Sequence, residues 1–332
     1  MILVTGATGT VGRRVVELLA REGQQVRAMV RETEEAAAFE AMGVAALVGD
    51  VTRATDRAAA LVNTDEVIAC HSAYHDYSRP AIATVDGAAT VDLIQDAAAA
   101  GVRHFTLLSH LGADRETLSQ RFVAKRQAEL ALLGQPGMSF TILRAAPLMS
   151  ELGRLPGLGA FQAPRSLLLF GSGESRVSPL SPADLALLAS RAGRTEHARN
   201  ETIAVGGPQV YSWRELGAVL ERVEGERVRV WRLPRAILTA LRWILGWIHP
   251  PAGDRLGYLE ALYRQDFIGD PGRVGAIFGV GLEDFESWLR RAGGEAPSAP
   301  PDLSQERPPA RHVEGAAPTR PLHEPGLETD EP

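Results

Sequence analysis

Residues 2–12 read Ile2-Leu3-Val4-Thr5-Gly6-Ala7-Thr8-Gly9-Thr10-Val11-Gly12, and this stretch decides the fold. The apolar run 2–5 has the length and composition of a buried strand. Beyond Gly12, Val15, Val16, Leu18 and Leu19 form one helical stripe that stops at Gly23. Between strand and helix lie three glycines spaced Gly6-x-x-Gly9-x-x-Gly12. Such glycines permit a tight turn and close backbone approach, and the amides at a helix N-terminus favour an anion. Strand, turn and helix together form a docking site for a dinucleotide pyrophosphate. Its candidate contacts are Gly6, Thr8, Gly9, Thr10, Val11 and Gly12.

Downstream, strands are predicted at 26–30, 45–48, 66–70, 105–108 and 140–143. Helices fall between them at 34–42, 57–62, 80–100 (opened by Pro80) and 118–133. This alternation predicts an α/β fold: a doubly wound parallel Rossmann sheet over residues 1–150. After Pro147 the rhythm changes, with a Gly- and Leu-rich loop at 152–159 and strands at 167–170, 202–205 and 228–231. Helices start at Pro182 and Ser212, and two more cover 235–248 and 283–291, predicting a smaller C-terminal α+β substrate lobe over 151–292.

Residues 293–332 hold nine of the 21 prolines and five of the chain's six net negative charges, with almost no large apolar side chain. Such a segment cannot bury enough surface to order itself, which predicts a disordered Pro/Glu-rich tail. The remainder is nearly neutral, so nothing points to nucleic acid. One cysteine, Cys70, excludes an intrachain disulfide, and the eight histidines show no metal-ligand spacing. With no signal peptide and no apolar run long enough for a bilayer span, the expected compartment is the cytoplasm.

Three strand ends carry further candidates. Arg31 closes the second strand, where an acid would hold a ribose 2′-hydroxyl and an Arg accommodates a 2′-phosphate. This favours NADP(H), with NAD(H) as the alternative; Glu32 opposes a phosphate, and Thr33 is a candidate cap for the next helix. Asp50 ends the third strand, placed either to accept from the adenine amine or to cap the following loop, and Val51 is placed to cover the ring. Cys70 ends the fourth strand, on the nicotinamide side, as a small buried side chain or a reactive thiol.

TGATGTVG, the Arg after VRAMV, the GDV triplet at 49–51 and TILRAAPLM resemble the NmrA-like, atypical branch of the short-chain dehydrogenase/reductase superfamily. The similarity runs from Met1 to about Arg291. The resemblance implies an NAD(P)-binding domain and a small-molecule substrate such as a quinone, carbonyl or activated alkene. It equally implies non-catalytic members: redox sensors, regulators or accessory subunits of membrane-associated complexes. In the superfamily a Ser, a Tyr and a Lys four residues after the Tyr do the chemistry. Ser109 stands at the serine position and Lys125, the only lysine among 35 basic residues, at the lysine position. The tyrosine position holds Arg121, which stays protonated and cannot act as a general acid. Arg121 is placed either to bind an anionic substrate group or to form a surface ion pair. His71, Tyr74 and His110 are the alternative proton donors, against plain packing roles.

The apolar helix at 236–249, with Trp243 and Trp247 four residues apart, suits lobe packing, a homodimer contact, or docking on a membrane surface or another subunit.

Overall fold

The chain alternates strand and helix from its first residues. β1 (Ile2–Thr5) leads to α1 (Gly12–Arg21), β2 (Val26–Val30) to α2 (Thr33–Glu40), and β3 (Ala45–Val48) to α3 (Ala54–Leu61). β4 (Glu66–Ala69) leads to α4 (Ala89–Ala99), β5 (His104–His110) to α5 (Gln120–Leu133), and β6 (Ser139–Ala145) to the short α6 (Met149–Leu152). Next come β7 (Ser166–Phe170), β8 (Arg176–Val177), α7 (Pro182–Ala192), β9 (Glu201–Val205), β10 (Tyr211–Ser212), α8 (Trp213–Glu224) and β11 (Arg229–Leu233). Four helices finish the chain: α9 (Arg235–Ile248), α10 (Pro250–Arg264), α11 (Pro271–Phe278) and α12 (Phe285–Gly294). This computed structural model describes residues 1–73, 82–152, 166–225 and 227–294. The expected tail, the 153–159 part of the expected loop, and Tyr74 and Pro80 lie outside the described residues, apart from Gly293 and Gly294 at the end of α12.

The main sheet has the order β3-β2-β1-β4-β5-β6-β9 and every pairing is parallel. β1 and β4 are buried at all four positions, as central strands covered on both faces must be. Val15, Val16 and Leu19 of α1 and Leu185 and Leu188 of α7 pack into one core cluster. Leu93, Ile94 and Ala97 of α4 and Ala128 and Leu132 of α5 pack into the other. Strand order reverses between β1 and β4, and the register Thr5↔Ala69 sets their carboxyl ends side by side. In an open parallel sheet that reversal opens a crevice for ligands.

Several sequence expectations shift. Residues 202–205, expected in the small lobe, form the core of β9, which pairs with β6 as the seventh strand of the main sheet. A single cut near residue 150 therefore does not separate the Rossmann sheet from the rest. The helix expected from Pro80 enters, within the described residues, through a π-helical turn (Ala83–Ala88) before α4 begins. α10 and α11 were not expected. The prolines of α10 sit in its first turn, where their missing N–H is harmless. Its glycines permit contact: a Cβ on Gly253 would strike the backbone of Gly246, and one on Gly257 the carbonyl of Leu118.

Beyond β9, α8 and α10 are tied together by Trp213, fully buried at the start of α8. Its indole N–H donates to the Leu262 carbonyl at 3.1 Å, and its ring stacks on Tyr263 with centroids 5.0 Å apart. Trp213→Ala is expected to lower unfolding stability by about 3–5 kcal/mol, measured by urea denaturation.

Candidate functional site

The glycine turn is built from backbone contacts. Gly6 has φ +66°, and a Cβ there would lie 2.5 Å from the Cα of His71. A Cβ on Gly12 would strike the Gly6 carbonyl. Both positions therefore accept no side chain, and the end of β4 lies directly across the turn after β1. Gly9 donates its N–H to the Gly6 carbonyl at 3.0 Å and accepts from Arg13 N–H at 3.0 Å. Thr8, Gly9 and Thr10 are exposed, while Val11 is buried as the N-cap of α1. The result is a side-chain-free cradle at a helix N-terminus, a shape and polarity that fit a diphosphate.

The strand ends beside the cradle carry the other candidates. Arg31 is exposed directly after β2. Its backbone N–H and that of Glu32 both donate to Glu35 Oε2, at 3.2 and 3.4 Å. Glu32, not Thr33, is the N-cap of α2, in a capping box with Glu35. Thr8, Arg13, Glu35 and Phe39 help to line a groove between the cradle and α2. Asp50 Oδ1 accepts from the backbone and hydroxyl of Thr52 at 2.9 and 2.7 Å. That oxygen closes the turn after β3, as the capping alternative requires. Val51 is half-buried against the cluster of Ala73, Ile82, Val85 and Ala124.

At the end of β4, burial pushes the half-buried Cys70 thiol up to about 12, favouring the protonated thiol. His71 is buried between two hydroxyls: Nδ1 lies 2.6 Å from Thr5 Oγ1, and Nε2 lies 2.9 Å from Thr90 Oγ1. Thr90 donates its own hydrogen to the Val85 carbonyl, so His71 carries its proton on Nε2 and accepts from Thr5 at Nδ1. Burial, reinforced by nearby Lys125, pushes His71 down to about 4. Neutral and held on both sides, it is a strut across the crevice rather than the proton donor the sequence suggested.

Lys125 on α5 is buried, and its Nζ lies 3.0 Å from Asp86 Oδ1. Asp86, on the π-turn, is fully buried and also accepts from the Ala73 N–H at 2.9 Å. Burial alone would raise its pKa, but Lys125 and that amide hold the carboxyl below its ordinary value. This pair fastens α5, the π-turn and the segment after β4 at one point. Asp86 had no sequence signal, because its role depends on a partner 39 residues away.

Ser109 bonds one helical turn further along α5. Its hydroxyl donates to Glu129 Oε1 at 2.6 Å, and fully buried Glu129 is held in a two-point grip by Arg144, at 2.8 and 2.7 Å. Arg144 continues to Asp114 at 2.8 Å. Ser109 thus belongs to a charged network joining β5, α5 and β6. Arg121 is buried, not a surface ion pair, and its guanidinium carbon lies 4.1 Å from the ring centre of Tyr258. Tyr258 comes from α10, and its hydroxyl is 3.4 Å from His110 Nε2. Burial, with Arg121 and Lys125 adding to it, pushes His110 down to about 3, so its ring is neutral near pH 7. A tyrosine from α10 thus stacks on Arg121, the residue that stands at the superfamily's tyrosine position. Among the described residues no group of His, Cys, Asp or Glu is placed to hold a metal ion.

Two outcomes follow from this geometry. Gly9 lacks positive φ, and a Cβ there would meet only the Gly6 carbonyl at 3.3 Å. Gly9→Asp should therefore leave the unliganded Tm within a few degrees while abolishing the thermal shift given by pyridine nucleotides. The second concerns pH. His71 and His104 at about 4, and His110 at about 3, all lie below the ordinary imidazole value, chiefly through burial. The unfolded chain binds protons that the folded chain refuses, so their contribution is complete above about pH 6.5 and falls as pH drops toward 4. Glu66, raised by burial to about 7, acts oppositely: its contribution is complete below about pH 4.5 and is lost as pH rises through 7. Calorimetry should show Tm falling on acidification below about pH 6.5, and falling more steeply in Glu66→Gln.

A family model described as NAD(P)H-binding matches residues 6–160. The chain is 31% identical over 269 residues to the (4-alkanoyl-5-oxo-2,5-dihydrofuran-3-yl)methyl phosphate reductase of Streptomyces griseus, covering 80% of this chain and 87% of that protein. It is 27% identical over 303 residues to the photosystem II assembly factor Ycf39 of Synechocystis sp., covering 88% and 90%. The NADPH complex of the NADPH-dependent quinone oxidoreductase QOR2 from Escherichia coli shares the fold, with a TM-score of 0.72 at 21% identity over 88% of this chain and 100% of that one. The glycine cradle, the seven-stranded parallel sheet and these likenesses agree: the chain belongs to the NAD(P)H-binding Rossmann reductase family, in the NmrA-like, atypical branch of the short-chain dehydrogenase/reductases.

Proposed function

We propose that this protein is an oxidoreductase that uses NADP(H) in preference to NAD(H) and reduces a quinone, carbonyl or activated alkene. When bound, the dihydronicotinamide would supply the hydride. The observation that carries this reading is the buried Lys125–Asp86 pair beside the cradle, at the switch point of the sheet. In this reading Gly6, Thr8, Gly9, Thr10, Val11 and Gly12 hold the diphosphate, and Arg31 meets a 2′-phosphate. Asp50, Val51 and Cys70 border the dinucleotide, and Lys125, oriented by Asp86, holds the nicotinamide ribose.

Quinones and electron-poor alkenes suit the site because they need little help from a positioned acid. Arg121, buried and always charged, would stabilise negative charge growing on the acceptor oxygen. Tyr258, stacked against Arg121, brings a proton-bearing group beside the residue at the tyrosine position. Ser109 is left out of this chemistry, because its proton is committed to Glu129. A lone, half-buried thiol with no second cysteine to pair with suits a reducing compartment, and the cytoplasm is the proposed one.

The second reading, a member that binds the cofactor without turnover, is favoured by the likeness to an assembly factor over most of both chains. One assay separates them. The purified protein should consume NADPH in the presence of a panel of quinones and enones. Binding with no consumption by any acceptor would replace the catalytic reading with the second one. Arg31→Ala should weaken NADPH binding by about 1.5–3 kcal/mol, the range for a hydrogen bond to a charged group, and NADH binding by much less. Equal losses in titration calorimetry would remove the NADP preference.

A further inference from the structure

Helix α9 is built inside out. The positions it turns toward α10 are Leu238, Thr239, Arg242, Leu245 and Gly246, all buried or half-buried. Two of its polar side chains lie on this inner face: Glu260 of α10 accepts from Thr239 Oγ1 at 2.9 Å and pairs with Arg242 at 2.7 Å. Beyond the exposed Arg235 at its first position, the outer face is apolar. Ile237, Leu241, Ile244 and Ile248 form one exposed stripe, with Trp243 69% and Trp247 89% exposed beside it. A helix packed on a protein and facing water has the reverse arrangement, and an apolar face of this extent marks a surface that meets something other than water.

The charge beside this face indicates what that is. Residues 227–249 contain five arginines and no acidic residue, in a chain whose net charge is −6. Only Arg242 among them has an ion-pair partner among the described residues; Arg227, Arg229, Arg232 and Arg235 have none. Strand β11, which runs into α9, leaves Val230 and Trp231 exposed among these arginines. A second copy docked by two-fold symmetry would set this basic patch against itself. A surface of anionic lipid headgroups matches both features: Trp and Ile enter the headgroup–acyl boundary while arginines meet phosphates. With 14 residues, α9 is too short to cross a bilayer, and no helix among the described residues is long and apolar enough to do so.

We propose that the outer face of α9, with the arginines of β11 and its approach, docks this protein peripherally on an anionic lipid surface. The proposal is independent of whether the cofactor site turns over. Docking would place the small lobe at the membrane, where apolar, lipid-dissolved acceptors reside.

The test is co-sedimentation of the full chain with vesicles of phosphatidylcholine alone and of phosphatidylcholine with about one-third phosphatidylglycerol, at low and high salt. Binding is expected to the anionic vesicles, with a blue shift of tryptophan emission and loss at high salt. Trp243→Ser/Trp247→Ser should abolish it. Arg229→Glu/Arg232→Glu should lower partitioning at least about tenfold, since each arginine near an anionic surface is worth about 1 kcal/mol, or fivefold. Both variants should keep the wild-type thermal shift with NADPH, which shows that they fold and that the cofactor site is intact. No binding of the wild type to anionic vesicles overturns the proposal. So does equal binding to both vesicle types, or a stable dimer in sedimentation equilibrium that disappears in the tryptophan variant, which would identify a second copy as the occupant.

Discussion

The architecture rests on two positions where no side chain fits. At Gly6 the chain turns out of β1 with the backbone of His71 pressed against it. At Gly12 the first residue of α1 packs on the Gly6 carbonyl. A Cβ at either point would force β1, the end of β4 and α1 apart. Because they are not forced apart, the strand ends at the switch point are close enough for Thr5 and His71 to hydrogen-bond across it. The same closeness leaves the helix N-terminus bare, so one steric condition creates both the packing of the sheet and the polarity of the cradle.

Around that cradle the buried charges fall into two groups. Lys125 and Asp86 lie on the crevice side, joined to His71 by proximity and to Ala73 by a hydrogen bond. Glu129, Arg144 and Asp114, with Ser109, form a second network that joins β5, α5 and β6. A serine and a lysine that stand together in the family's pattern are here held by two different carboxylates. That division is why Ser109 reads as structural in this chain while Lys125 remains at the site.

Much of this was legible from the residues alone. The glycine spacing, the alternation of strands and helices to residue 145, and the limits of α9 at Arg235 and Ile248 all follow from local pattern, and the structure has them. What escaped depends on distant partners. β9 reads like any short apolar strand, and only its pairing with β6 assigns it to the main sheet. α10 was obscured by Pro250, Pro251, Gly253 and Gly257, residues that disfavour an isolated helix but permit close contact with α9 and Leu118. Tyr258, carried on that unrecognised helix, escaped with it, although its ring stacks on Arg121, the residue at the family's tyrosine position. The inverted polarity of α9 escaped as well, because sequence periodicity shows an apolar face without showing which way it points.

The π-helical turn has a consequence for how this segment tolerates change. A π-turn accommodates one more residue than the α-helix it interrupts. Removing Gly87 or Ala88 would let the turn close to regular α-helix and draw Asp86 one place nearer to α4, off the position that faces Lys125. Lys125 would then be left without its counter-ion in a buried setting, and the Ala73 amide without its acceptor. The spacing between Asp86 and α4 is therefore constrained independently of its composition: single substitutions among the alanines of the turn are tolerable, whereas a single-codon deletion at 87 or 88 dismantles the ion pair.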